Sequence, residues 1–125
     1  MAAGKYNFVI EQGTTLDLEV VYKDSNDNPI DLTDYQGRMQ IKDTIGGSTT
    51  YITLSSSLAN DGTGLDFGGS NGTIGIFISA NSSSALDFNK AAYDLEIASG
   101  STYPVVTRIL QGSVTLDKEV TTGEY

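Results

Sequence analysis

Hydrophobic and polar residues alternate along most of this chain with a period of two, the spacing that sends successive side chains to opposite faces of a pleated strand. Leu16, Leu18, Val20 and Tyr22 share one parity, with Asp17, Glu19 and Lys23 on the other and Val21 as the exception. Met39 and Ile41 alternate with Arg38, Gln40 and Lys42, Ile52 and Leu54 alternate with Tyr51 and Thr53, and Leu65 and Phe67 flank Asp66. Ile74, Ile76 and Ile78 form a β-branched stripe opposed by Gly75 and Phe77, and Tyr93, Leu95 and Ile97 alternate with Asp94 and Glu96. Each segment predicts a strand with one buried side. The last strand is longer. Val106, Leu110, Val114 and Leu116 share a parity with Arg108 and Gly112 while Ile109 points the other way, which predicts a bend or bulge near Gly112. An opening strand over residues 6–10 brings the expected number to about eight.

Between these segments, residues 24–29, 46–48, 60–62 and 68–72 are built only from Asp, Asn, Ser, Gly and Pro, the residues of tight reversals and positive φ. Two stretches break the alternation. Residues 31–35 predict a single helical turn capped by Asp31 that tucks Leu32 and Tyr35 inward, and residues 79–86 predict another, capped by Ser79 or Asn81. Strands spaced by 8–12 residues with only such short turns imply an all-β fold: an antiparallel two-sheet sandwich, immunoglobulin-like in shape. Cysteine and tryptophan are both absent, so the expectation concerns architecture and not the antibody family. A chain of 125 residues makes one domain, expected over residues 1–125, with about residues 1–5 and 119–125 as flexible tails.

Composition narrows the chemistry. Sixteen Asp and Glu against seven Lys and Arg give a net charge of −9, which repels nucleic-acid phosphates and anionic membrane surfaces. No direct nucleic-acid or membrane partner is therefore expected. No apolar run is long enough to span a bilayer and the N-terminus lacks a signal-peptide core, so a soluble protein made in a reducing cytoplasm is expected.

Four motifs invite a chemical reading, and each has a plainer one. Residues 68–72 match G-x-S-x-G, but a strand follows where a nucleophile elbow needs a helix, and the chain has no histidine to take the serine proton. Asp24, Asn26 and Asn28 resemble the opening of a calcium loop, yet Pro29 stands where such a loop needs glycine and Tyr35 stands where it needs glutamate. Asp94 and Glu96 share the polar face of one strand, which points to solvent exposure and ion pairing with Lys42 or Arg38 in place of acid–base work. Glycosylation patterns begin at Asn71 and Asn81, and without a secretory route they carry no meaning. No catalytic, cofactor-binding or metal-ligating residue is assigned. The seven tyrosines are the better candidates for recognition, a flat apolar ring with a polar tip being suited to interfaces. Tyr22, Tyr35 and Tyr93 are expected in the core, whereas Tyr51, Tyr103 and Tyr125 are candidate interface residues by parity or position.

Residues 10–14 (IEQGT), 22–24 (YKD), 28–35 (NPIDLTDY) and 38–43 (RMQIKD), followed by 72–74 (GTI), 78–80 (ISA), 93–97 (YDLEI), 107–112 (TRILQG) and 119–121 (EVT), together resemble small structural proteins encoded by tailed phages and prophages. The resemblance covers nearly the whole chain and consists of strand and turn signatures, with no site residue among them. It is similar to virion components of contractile-tailed phages, including T4-like cyanophages. It implies a virion structural protein of the tail or baseplate region, partnered by other virion proteins in several symmetry-related copies. Two alternatives stand beside this docking role: a capsid decoration protein, and a carbohydrate-binding module for host attachment, which the lack of tryptophan disfavours.

Overall fold

The computed structural model describes residues 4–99 and 104–122. Among them nine strands form two sheets: β1 (Gly4–Lys5), β2 (Phe8–Glu11), β3 (Leu16–Val21), β4 (Gln36–Lys42), β5 (Thr50–Ser55), β6 (Gly64–Phe67), β7 (Thr73–Ile78), β8 (Lys90–Ser99) and β9 (Val105–Asp117). The larger sheet runs β1-β9-β8-β4-β5, with β2 also on β9, and the smaller runs β3-β7-β6. The first two strands lie parallel to β9, and every other pairing is antiparallel. Only β4–β5, β6–β7 and β8–β9 are hairpins; β1 and β2 follow one another along β9, and the remaining links cross between sheets. The chain is an all-β sandwich. A sheet of last, penultimate and middle strands facing a three-stranded sheet is the immunoglobulin-like arrangement, with β5 as the added edge strand.

Period-two burial builds the core. Along β7 the alternating Ile74, Ile76 and Ile78 are at most 1% exposed, and along β8 Ala91, Tyr93, Leu95 and Ile97 face the same interior. Met39, Ile41 and Leu54 from the larger sheet join Leu65 from the smaller in one hydrophobic cluster. Burial of each such side chain contributes roughly 1.5–3 kcal/mol. No described helix is long and apolar enough to cross a membrane.

Local geometry departs from simple alternation in four places. The opening strand is two, because Tyr6 and Asn7 leave the ladder between β1 and β2, which hold one register on β9. The face swap in β9 falls at Ile109, three residues before Gly112. Leu95 pairs with Leu110 and Glu96 with Arg108, so Ile109 is the extra residue, and it turns into the core. Gly112 instead makes room for a close backbone approach, since a Cβ there would collide with the Tyr6 carbonyl oxygen. That contact locates the β1–β2 break, where the Tyr93 hydroxyl donates to the Tyr6 carbonyl (2.6 Å) and the Ser113 amide donates to Asn7 Oδ1 (2.9 Å). Burial, and secondarily the neighbouring Tyr6, raises the pKa of the Tyr93 phenol, which keeps this donor protonated.

Residues 31–35 are a β-turn and not a helical turn. The Tyr35 amide reaches the Leu32 carbonyl (3.0 Å) across Asp34 at φ 66°, while Asp31 Oδ1 accepts from the Thr33 amide and hydroxyl. Leu32 is still fully buried and Tyr35 packs on the core, as the spacing predicts. The second expected turn forms as α1 (Ala80–Ser84), with Ser79 as its N-cap accepting from the Ser82 amide (3.1 Å). Glu119, at the start of the expected C-terminal tail, is tied down through its amide to Gln12 Oε1 (3.1 Å).

Candidate functional site

The outer face of the larger sheet carries a depression. Its strands carry Gln40 and Lys42 on β4, Ala92 and Asp94 on β8, Arg108, Gln111 and Ser113 on β9, and Lys5 on β1. These residues line a groove of about 750 Å³. One wall is the β4–β5 hairpin with Thr44, Ile45 and Gly46, and the other is the chain around Asn7 where it leaves the ladder. The hairpin is braced by the Asp43 amide donating to the Thr49 carbonyl (3.1 Å) and the Gly47 amide donating to that of Thr44 (2.9 Å). Ile45 at its tip is 94% exposed, an apolar side chain that nothing in the described chain covers.

Strand register places the charges. Across β8–β9 and β4–β8, Arg108 Nε meets Asp94 Oδ2 at 3.2 Å and Arg38 Nε meets Glu96 Oε1 at 2.9 Å. Both pairs are partly exposed and contribute at most about 1 kcal/mol each. The expected outward orientation of Asp94 and Glu96 holds, with Arg38 as one partner; Arg108, and not Lys42, is the other. Among the described residues Lys5 and Lys42 make no ion pair. A second, smaller cleft of about 420 Å³ opens beyond the Arg38–Glu96 pair, between residues 55–57, Ala98 and Val106.

Of the three candidate interface tyrosines, Tyr103 and Tyr125 lie outside the described residues. Tyr51 does not project from the outer face as its parity predicts. The β4–β5 register shifts between Ile41 and Lys42, leaving Tyr51 as the extra residue of β5, and its ring stacks on the buried Phe88 (centroids 4.7 Å, 22°). It packs half-buried against the core.

The other motifs resolve into turns. Ser70 is exposed on a 3₁₀ turn (Gly69–Asn71) between β6 and β7, and Gly72 sits at φ 68° so close to the Tyr22 and Ile30 carbonyls that no side chain fits. Asp24 directs Oδ1 to the amides of Asn26 (2.9 Å) and Asn28 (3.0 Å) of its own turn. Among the described residues no group of three or more Asp, Glu, His or Cys is placed to hold a metal ion.

Two polar clusters have no counterpart in the motif reading. Asp61, after β5, accepts from the Ser79 hydroxyl (2.5 Å), the Ser82 hydroxyl (2.8 Å) and the Thr63 amide (3.0 Å), which holds its carboxyl far below the usual range. Ser83 of α1 is fully buried, accepts from the Gly13 amide (3.0 Å) and donates to the Thr14 carbonyl (2.7 Å). Gln12 adds a donor bond from Nε2 to the Leu86 carbonyl (2.8 Å). Both clusters fasten loops to the cross-sheet turn α1, and every carboxylate and hydroxyl in them is engaged in doing so. Only the pairing of residues some seventy positions apart creates the Ser83 cluster, so no local spacing announces it.

The fold and groove define an all-β sandwich with a polar, cation-bearing surface on its larger sheet. No family model matches the chain, and no curated protein matches it.

Proposed function

We propose that this chain is a structural docking module that works by protein–protein contact, set in the tail or baseplate region of a tailed phage particle. The observation that carries the docking role is the groove on the larger sheet: a surface spread over four hydrogen-bonded strands, walled by a braced hairpin and lined by charged and amide groups that reach outward. The polar clusters elsewhere are consumed in fastening loops, which leaves surface shape and charge as the means of recognition. The phage setting comes from the sequence resemblance, and it fits a compact acidic domain that stays dispersed before assembly.

Mass spectrometry of purified particles from the phage that encodes the chain tests this reading. The expected result is the chain in the particle at six or twelve copies, retained after washing with high salt. Hundreds of copies would replace the tail setting with a capsid decoration role, and absence from the particle would sink the proposal.

A further inference from the structure

The charges of this molecule are segregated. Five of its seven Lys and Arg residues (Lys5, Arg38, Lys42, Lys90 and Arg108) point outward from the larger sheet by register. The outer face of the smaller sheet has none and presents Asp17, Glu19 and Asp66. Arg38 and Arg108 are neutralised by Glu96 and Asp94, and the two cations away from this face, Lys23 and Lys118, meet Asp27 (3.4 Å) and Asp87 (3.2 Å). Among the described residues, then, every cation without an anionic partner stands on the larger sheet, and two of the three, Lys5 and Lys42, line the groove. They lie on β1 and β4, three strands and roughly 14 Å apart.

In a chain of net charge −9, that local excess acts only over about a Debye length, ~8–10 Å at ordinary salt. A long uniform polyanion such as DNA would feel mainly the repulsion of the whole molecule, whereas a segment with a few carboxylates could reach the groove floor. Two further features separate protein from saccharide. The rim offers the bare apolar side chain of Ile45, and among the described residues the one aromatic ring that lines the groove, Tyr93, is only 5% exposed and offers no sugar platform. Gln40, Gln111 and Asn7 add amides that can bond to peptide groups.

We infer that the groove receives an Asp- or Glu-bearing segment of a partner protein, laid across the strands, with carboxylates meeting Lys5 and Lys42 and an apolar side chain meeting Ile45. This rests on the docking role proposed above and gives it a site and a chemistry.

The test is amide-resolved NMR titration of the whole chain with a short synthetic peptide alternating Glu and Val, at low and at high salt. Expected are shifts confined to residues 5–7, 40–46, 92–94 and 111–113 that fade with salt. The double variant Lys5→Glu/Lys42→Glu should bind at least about tenfold more weakly. Lys23→Glu/Lys118→Glu, which changes net charge equally, should bind nearly as well as the parent, and melting curves of both variants report whether they fold. No shift in the groove, or equal loss in both variants, overturns the inference. Tighter groove binding by an oligogalacturonate than by the peptide overturns it in favour of an acidic saccharide. Salt-sensitive self-association that Lys5→Glu/Lys42→Glu abolishes overturns it in favour of the acidic face of a second copy. The two proposals fail separately: peptide binding by a chain absent from particles removes the phage setting alone, and a particle protein whose groove ignores the peptide removes the groove's occupant alone.

Discussion

Replacing Ser83 with alanine removes one oxygen from a site that is 0% exposed. That oxygen serves two backbone groups of the β2–β3 turn, the Gly13 amide and the Thr14 carbonyl. Each hydrogen bond has a net worth of about 1 kcal/mol, and a buried group left unpaired costs about 1–3 kcal/mol, so the variant should lose about 2–4 kcal/mol. At about 4 °C per kcal/mol for a domain of this size, the melting temperature falls by roughly 8–16 °C. Circular dichroism through thermal and urea unfolding measures the loss, and amide exchange at Gly13 should accelerate beyond the global change. Ser84→Ala is the matched control: its hydroxyl bonds to the Asn81 carbonyl at an exposed position, and the change should stay within about 0.5 kcal/mol. A loss below about 1 kcal/mol for Ser83→Ala, or equal losses for the two variants, would refute the view that Ser83 staples α1 to the turn.

Three further outcomes follow from the same geometry. Gly112→Ala forces a methyl group into the Tyr6 carbonyl and should cost about 2–3 kcal/mol, with exchange protection lost first at the Tyr6 amide, which bonds to the Gln111 carbonyl. Leu95→Ala, at a fully buried position of β8, should cost about 3 kcal/mol in a urea melt with an unchanged m-value. Asp61 has a folded-state pKa below its ordinary value of 3.8, so its stabilisation is complete above that value and is lost as pH falls beneath it. The stability difference between the parent and Asp61→Asn should therefore be largest near neutral pH and shrink in acid, and a difference that grows in acid would contradict the assignment.

The sandwich was legible because burial on one face imposes alternation, and Ile74, Ile76, Ile78 and Tyr93, Leu95, Ile97 display it without interruption. Alternation fails wherever a strand gains a residue, since each bulge reverses parity from that point on. Ile109 and Tyr51 are both such residues, and the rule therefore placed the swap three residues late and pointed Tyr51 outward. The parallel docking of β1 and β2 on β9 was illegible for another reason: it joins the two ends of the chain through backbone bonds, which leave no imprint on residue type. The groove was half visible. Gln40 and Lys42 alternate with buried neighbours and read as outward, but Lys5 and Arg108 come to their side only through the β1–β9 and β8–β9 registers. Ser83, one of three successive serines, gave no sign that it alone would be buried.

The most direct test of the proposed docking role is a reconstruction, at side-chain resolution, of the tailed-phage particle in which that proposal sets the chain. It should reveal the sandwich seated with β1, β9, β8 and β4 against a neighbouring protein, whose acidic side chains reach Lys5 and Lys42. A particle in which the larger sheet's outer face points to solvent and every contact is made elsewhere on the chain would contradict it.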